Sequence, residues 1–204
     1  DGSQGMDDRD DNLARLKPLN FYGESKHLFD LHAQKAGWLS RIVGLKYFNV
    51  FGPNEDHKAD MRSLVNKAYQ QILTAGEVGL FKSYKPEFKD GEQKRDFLYV
   101  KDAVEMTLHF AEKGANAGGL YNLGSGEAQT WITLATAIFS ALGRKPVIKF
   151  IEMPAELQGK YQYFTQADIT KLRSTGYDRP MTPLNAAVGD YVRNYLIPGK
   201  TLGA

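Results

Sequence analysis

Met61, Leu64, Val65, Ala68, Ile72 and Leu73 follow helical spacing, whereas "RIVGLKYFNVFG" (41–52) is apolar at almost every position. The first pattern predicts an amphipathic helix. The second is rich in β-branched and aromatic residues and ends at Gly52-Pro53, which predicts a strand covered on both faces. Upstream, Asn20 is placed to cap a helix over "FYGESKHLFDLHAQKAG" that stops at Gly37. A helix running into a buried strand is the repeating unit of parallel α/β sheets.

The same reading continues along the chain. Short strands are expected at 78–83 and 95–100, and "VKDAVEMTLHFAEKG" reads as a helix with Val104, Leu108 and Ala111 on one face, stopped by Gly114. "GLYNLGSG" is a strand entering a glycine turn, and Thr130 caps a helix carrying Ile132, Ala135, Ile138 and Phe139. "PVIKFIEM" is a strand, Thr165 and Asp168 occupy capping-box positions, and a last helix covers 184–197. The opening stretch "DGSQGMDDRDDNLARLKPLN" has five aspartates, Asp1, Asp7, Asp8, Asp10 and Asp11, and no periodicity, so it reads as a loop. A loop, one helix and a buried strand are an odd start for a parallel sheet. The chain is therefore expected to be the C-terminal portion of a longer protein.

Composition narrows the function classes. Of 204 residues, 42% are hydrophobic and 25% charged, as in an ordinary globular domain. Cysteine is absent, which removes disulfides and thiolate metal sites and fits a reducing compartment. A net charge of +2 gives no case for nucleic acid or a membrane face as partner. The cations gather only at Lys82, Lys85, Lys89, Lys94 and Arg95. Glu55, Asp56, His57 and Asp60 read as a polar loop rather than a metal site, and "GSGEAQT" (124–130) lacks the third glycine of a dinucleotide loop.

Candidate chemistry lies in "YGESK", where Tyr22 and Lys26 stand four positions apart and share a helix face. A phenol is too weak a base at neutral pH, and an ammonium within about 4–6 Å corrects this by favouring the phenolate. The same cation can hold the ribose of a dinucleotide.

"PLNFYGESKHLFD" followed by "LKYFNVFGP" resembles the active-site helix and next strand of extended short-chain dehydrogenases/reductases. "HKADM", "KRDFLYVKD", "YNLGSG" and "GKYQYFTQAD" extend the likeness, more narrowly, to the nucleotide-sugar epimerases of lipopolysaccharide core assembly. The resemblance implies an α/β chain: the C-terminal part of a Rossmann-type doubly wound sheet plus a smaller mixed α/β substrate-binding domain. Residues 1–53 would belong to the nucleotide-binding domain and 54–204 mainly to the substrate domain, with 99–125 returning to the first. It implies Tyr22 and Lys58 as acid/bases, and Lys26, Val50 and Lys58 beside the cofactor. Asn49, Phe81, Arg95 and Tyr161 would contact substrate; among the other aromatic candidates, Trp38 and Trp131 receive no role. Lys67 and Asp60 stand where relatives carry histidine and serine, so neither is assigned.

The implied reaction epimerises the sixth carbon of ADP-heptose by transient oxidation with NADP (NAD as the alternative), in the cytoplasm, in a homo-oligomer, commonly a pentamer. The family's glycine-rich phosphate loop is not among these residues. The rival expectations are a UDP- or dTDP-sugar epimerase or dehydratase, and a catalytically silent substrate-binding or assembly fragment.

Overall fold

A computed structural model describes residues 6–113 and 117–203. The expected α/β class is found. Helix α1 (Phe21–Lys35) starts where Asn20 accepts the Gly23 N–H and ends before Gly37, which takes the left-handed conformation at φ 70°. The apolar run 41–52 is not one strand but two, β1 (Val43–Tyr47) and β2 (Asn49–Phe51). Phe48 breaks it: its N–H reaches the Leu123 carbonyl while its own carbonyl accepts the Val50 N–H. Nor is the run covered on both faces, since β1 is half-buried to exposed throughout. Apolar composition records a capacity for burial, and the neighbours that β1 has among the described residues use only part of it.

Next come α2 (Leu64–Ala75), β3 (Val78–Phe81), β4 (Lys94–Tyr99), α3 (Val100–Lys113) and β5 (Gly119–Leu123). They are followed by β6 (Ala128–Thr130), α4 (Trp131–Ala141), β7 (Ile148–Ile151), the short helices α5 (Ala155–Gln158) and α6 (Thr170–Ser174), and α7 (Leu184–Tyr191). A π-helical turn, Val192–Leu196, extends α7 through the region expected to be helical. Strands β1 and β5, β2 and β4, and β3 and β7 pair in parallel; β6 adds antiparallel to β4.

Strand β4 stands between two cores. Phe97 and Tyr99 point into one formed by α2, α4 and α7, with Ile72, Ile138, Phe139 and Tyr191 at its centre. Leu98 points the other way, against Met106 and Phe110 of α3, Leu123 of β5 and Leu172 of α6. This is the two-residue alternation of a pleated strand with both faces occupied. A small third cluster, Leu13, Ala33, Leu39 and Leu120, docks α1 on β5, and the Lys46–Asp30 ion pair at 2.6 Å ties α1 to β1.

Several local expectations are corrected. On α3 the inward face is Ala103, Met106 and Phe110, while Val104 and Leu108 are about half exposed. Apolar residues lie on two sides of that helix, and contact with the sheet selects between them. Gly114, its expected stop, lies outside the described residues. Met61 and Leu73 are exposed, Met61 lying before α2 begins. No capping box forms at Thr165 and Asp168: the Asp168 carboxylate accepts the Thr170 N–H at the start of α6, but the Thr165 hydroxyl accepts the Asp96 N–H instead. The opening stretch is more than a loop, because the buried Asp8 carboxylate accepts the Asn122 N–H at 2.8 Å and Asp10–Arg15 forms a 3-10 turn.

Asp96 on β4 is wholly buried. Its carboxylate accepts the Ser125 N–H (2.6 Å) and hydroxyl (2.8 Å), and the N–H groups of Gly126 and Ala167 (both 2.9 Å). A Cβ at Gly124 would meet the Ala167 Cβ at 2.4 Å and the Asp96 carboxylate at 2.8 Å, so only glycine lets the three segments close. Asp96→Ala should lower the unfolding free energy by about 3 kcal/mol, because it strands buried donors. Glu127→Ala in the same turn, an exposed side chain, should change it by less than about 0.5 kcal/mol. Equal urea midpoints for the two variants would refute the role given to Asp96.

Candidate active site

Because side chains alternate along a strand, burying Asp96 on one face of β4 turns Arg95 to the other. Arg95 is 7% exposed. Its guanidinium lies 5.0 Å from the Tyr161 ring centre and 5.7 Å from that of Trp131. It makes one hydrogen bond, to the Lys94 carbonyl at 2.8 Å, and has no ion pair with a carboxylate among the described residues. Burial pulls its pKa below the ordinary arginine value and pushes that of Tyr161 up, an effect the Arg95 charge partly opposes. A buried cation with most of its donors unused is costly unless an anion completes it. The planar fork of guanidinium suits phosphate in particular.

The rest of the cluster around Arg95 is aromatic. Phe81 meets Tyr161 edge-on, with centroids 6.2 Å apart, and Tyr161 meets Tyr163 in the same way at 5.5 Å. The Trp131 indole N–H donates to the Tyr161 hydroxyl at 2.9 Å, and its ring packs on Phe97 at 5.0 Å. Lys85 lies 5.0 Å over Tyr163, while Lys82 pairs with Glu152. The structure thus joins Phe81, Arg95 and Tyr161, and adds Trp131, to which the sequence had assigned no role. Its only local signal was its place just after the Thr130 cap. Asn49 is exposed and lies opposite Phe97 in the β2–β4 pair, while Val50, opposite Leu98, packs against the core of α3 and β5.

Tyr22 and Lys26 lie on α1, apart from this cluster. The Lys26 ammonium lies over the face of the Tyr22 ring, 5.1 Å from its centre, so the two share one face of α1 as their spacing predicted. Tyr22 is 73% exposed, so its face of α1 is open to a ligand. No hydrogen bond, ion pair or ring contact among the described residues joins this pair to the Arg95 pocket.

Lys58 lies exposed in a 3-10 segment, Asp56–Met61, whose geometry is fixed from beneath. Glu55 is buried rather than part of a solvated loop. It accepts the N–H and hydroxyl of Ser63, both at 2.6 Å, and the Tyr191 hydroxyl at 2.9 Å. Asn66, also buried, bridges Asp56 and Tyr191. Ala59, next to Lys58, has φ 47° and ψ −121°, a conformation unfavourable for any residue but glycine. The two unassigned positions touch each other: the Lys67 ammonium donates to the Asp60 carbonyl at 3.3 Å.

The glycine turn 124–126 cannot act as a phosphate loop in this arrangement, because the Ser125 and Gly126 N–H groups are already donated to Asp96. Among the described residues, no helix is long and apolar enough to cross a membrane.

Residues 2–124 match the family model described as "NAD dependent epimerase/dehydratase family". The chain is 51% identical over 196 residues to an ADP-L-glycero-D-manno-heptose-6-epimerase of Nitratidesulfovibrio vulgaris, covering 96% of this chain and 60% of that protein. A Fusobacterium nucleatum protein of the same name is 48% identical over 191 residues, covering 90% and 57%. Among solved structures, the Helicobacter pylori ADP-L-glycero-D-manno-heptose-6-epimerase superposes with TM-score 0.69 at 28% identity, covering 87% of this chain and 52% of that one. A Thermus thermophilus UDP-glucose 4-epimerase in complex with NAD superposes at 0.66 and 24% identity, covering 86% and 54%, a likeness of fold. The chain therefore spans about three fifths of the length of these curated relatives.

The strain at Ala59 is measurable. Ala59→Gly should leave stability unchanged or raise it by about 1 kcal/mol, whereas Ala68→Gly inside α2 should lower it by about that amount or more. A loss at position 59 equal to that at 68 in urea denaturation would show that the turn is unstrained.

Proposed function

Because the chain belongs to the NAD dependent epimerase/dehydratase family, we propose that it contributes the substrate pocket and the acid/base groups of a nucleotide-sugar epimerase. The proposed reaction interconverts the D-glycero and L-glycero forms of ADP-D-manno-heptose at the sixth heptose carbon. The observation that carries this reading is the Arg95 guanidinium, buried with no carboxylate partner among the described residues and walled by Tyr161 and Trp131. Such a site suits a ligand that combines negative charge with flat or ring-shaped groups, as a nucleoside diphosphate sugar does. Two relatives near 50% identity that carry the heptose-epimerase name support ADP-heptose over UDP- or dTDP-sugars.

The residues fit a nicotinamide dinucleotide in part: the exposed Tyr22–Lys26 face offers a phenol and a ribose-binding ammonium, and Val50 and Lys58 are the further contacts. When bound, the dinucleotide would accept a hydride from the sixth carbon and return it to the opposite face. This chain's own residues move protons. Tyr22, steadied by Lys26, exchanges the proton of the hydroxyl oxygen on that carbon in one orientation of the sugar. Lys58 does so in the other, since a sugar that has turned presents its oxygen elsewhere. Arg95, Tyr161, Phe81 and Asn49 hold the nucleotide-sugar portion. NADP rather than NAD, a cytoplasmic setting and a pentameric homo-oligomer follow from the resemblance alone. The parallel β1–β5 pair supports assigning residues 99–125 to the same nucleotide-binding unit as 1–53, with the remainder of 54–204 as the substrate unit.

Incubation with NADP and ADP-heptose, followed by NMR of the sixth-carbon configuration, tests the reading. Tyr22→Phe and Lys58→Met should each slow epimerisation by about a hundredfold or more with circular dichroism unchanged. Normal turnover by Lys58→Met would remove the two-base scheme. Faster conversion of UDP- or dTDP-sugars in a substrate panel would favour the rival epimerases. No conversion of any sugar by the 204-residue chain would leave it as a silent binding or assembly fragment.

A further inference from the structure

The Trp131–Tyr161 hydrogen bond fixes more than ring positions. An indole N–H can only donate, so at 2.9 Å the Tyr161 oxygen must be the acceptor. The tyrosine's own proton is then available to another acceptor, and none is found for it among the described residues. Arg95 beside it likewise spends one donor among the described residues, at the Lys94 carbonyl. Trp131 is itself firmly placed: it opens α4 behind the Thr130 cap, its backbone N–H reaches the Gln93 carbonyl, and its ring rests on Phe97.

We propose that Trp131 is the positioning residue of this pocket, holding the Tyr161 hydroxyl in the donor role so that Tyr161 and Arg95 present hydrogens together to the acceptor oxygens of a nucleoside diphosphate. The inference rests on the reading of the Arg95–Tyr161 cluster as the nucleotide-sugar pocket and adds to it a residue and a polarity. Trp131 acts through Tyr161, so its contribution vanishes when the tyrosine oxygen is absent. A residue that merely filled space would contribute equally with or without that oxygen.

The test is a double-mutant cycle on ADP binding by the full chain, read by calorimetry. Trp131→Phe and Tyr161→Phe should each weaken ADP about fivefold, the scale of one hydrogen bond, and the double variant should bind no more weakly than Tyr161→Phe alone. Independent, multiplying effects would overturn the proposal. So would tight binding by Trp131→Phe while Arg95→Ala and Tyr161→Phe both bind poorly, an outcome that leaves the pocket itself standing. If neither Arg95→Ala nor Tyr161→Phe weakens ADP, or the wild-type chain does not bind it, the pocket reading falls and this inference falls with it. A second measurement spares Trp131: the chain has two tryptophans, so Trp38→Phe leaves Trp131 as the sole indole emitter. ADP should shift its emission, and the shift should disappear when Tyr161→Phe is added. Emission unmoved at saturating ADP would overturn the proposal.

Discussion

A single buried carboxylate organises this molecule. Asp96 accepts four hydrogen bonds from two segments that are remote in sequence, the 124–126 turn and Ala167. An unpaired carboxylate in that position would be strongly disfavoured, and four donors make it tolerable. The three segments meet around the anion. Since β4 is pleated, the same constraint that turns Asp96 one way turns Arg95 the other, among aromatic rings. The anion is satisfied by three backbone N–H groups and the Ser125 hydroxyl, and the neighbouring cation has no carboxylate partner among the described residues. Both faces of β4 carry core residues, and on the face of Phe97 and Tyr99 the strand begins with this cation among aromatic rings.

A second carboxylate plays a comparable part beneath Lys58. Glu55 joins the N-terminus of α2, through Ser63, to Tyr191 at the end of α7. Its carboxylate accepts three hydrogen bonds from below while the 3-10 segment above carries Lys58 outward next to the strained Ala59. Backbone strain persists only where surrounding contacts over-determine the chain, and here those contacts are visible. The Tyr22–Lys26 pair is anchored separately, through the small cluster around Ala33 and Leu39 and the Lys46–Asp30 ion pair. Groups proposed for proton transfer and groups proposed for binding thus sit on different supports, linked by the parallel pairing of β2, which carries Asn49 and Val50, with β4.

Local signals were legible wherever the deciding interactions lie within a few residues. Asn20 and Thr130 cap their helices as their positions implied, and Tyr22 and Lys26 meet because four residues make about one helical turn. The capping box at Thr165 and Asp168 failed for the converse reason: its hydroxyl is engaged by a β4 amide far away in sequence. The burial expected for 41–52 failed because strand pairing, not apolar content, decides which faces are covered. Trp131 carried too little local information to be assigned; its significance lies in contacts with Gln93, Phe97 and Tyr161.

By itself the sequence determined the α/β class, the main helices with their caps, and the one-turn proximity of a phenol and an ammonium. These depend on backbone geometry and near-neighbour hydrogen bonds, which a linear pattern encodes directly. Only the tertiary structure decided which of two adjacent charges on β4 would be satisfied and which left open, which side of α3 would face inward, and that an indole N–H would set the direction of a tyrosine's hydrogen bond. Each of those outcomes depends on partners brought in from distant segments, and such partners exist only once the chain has packed.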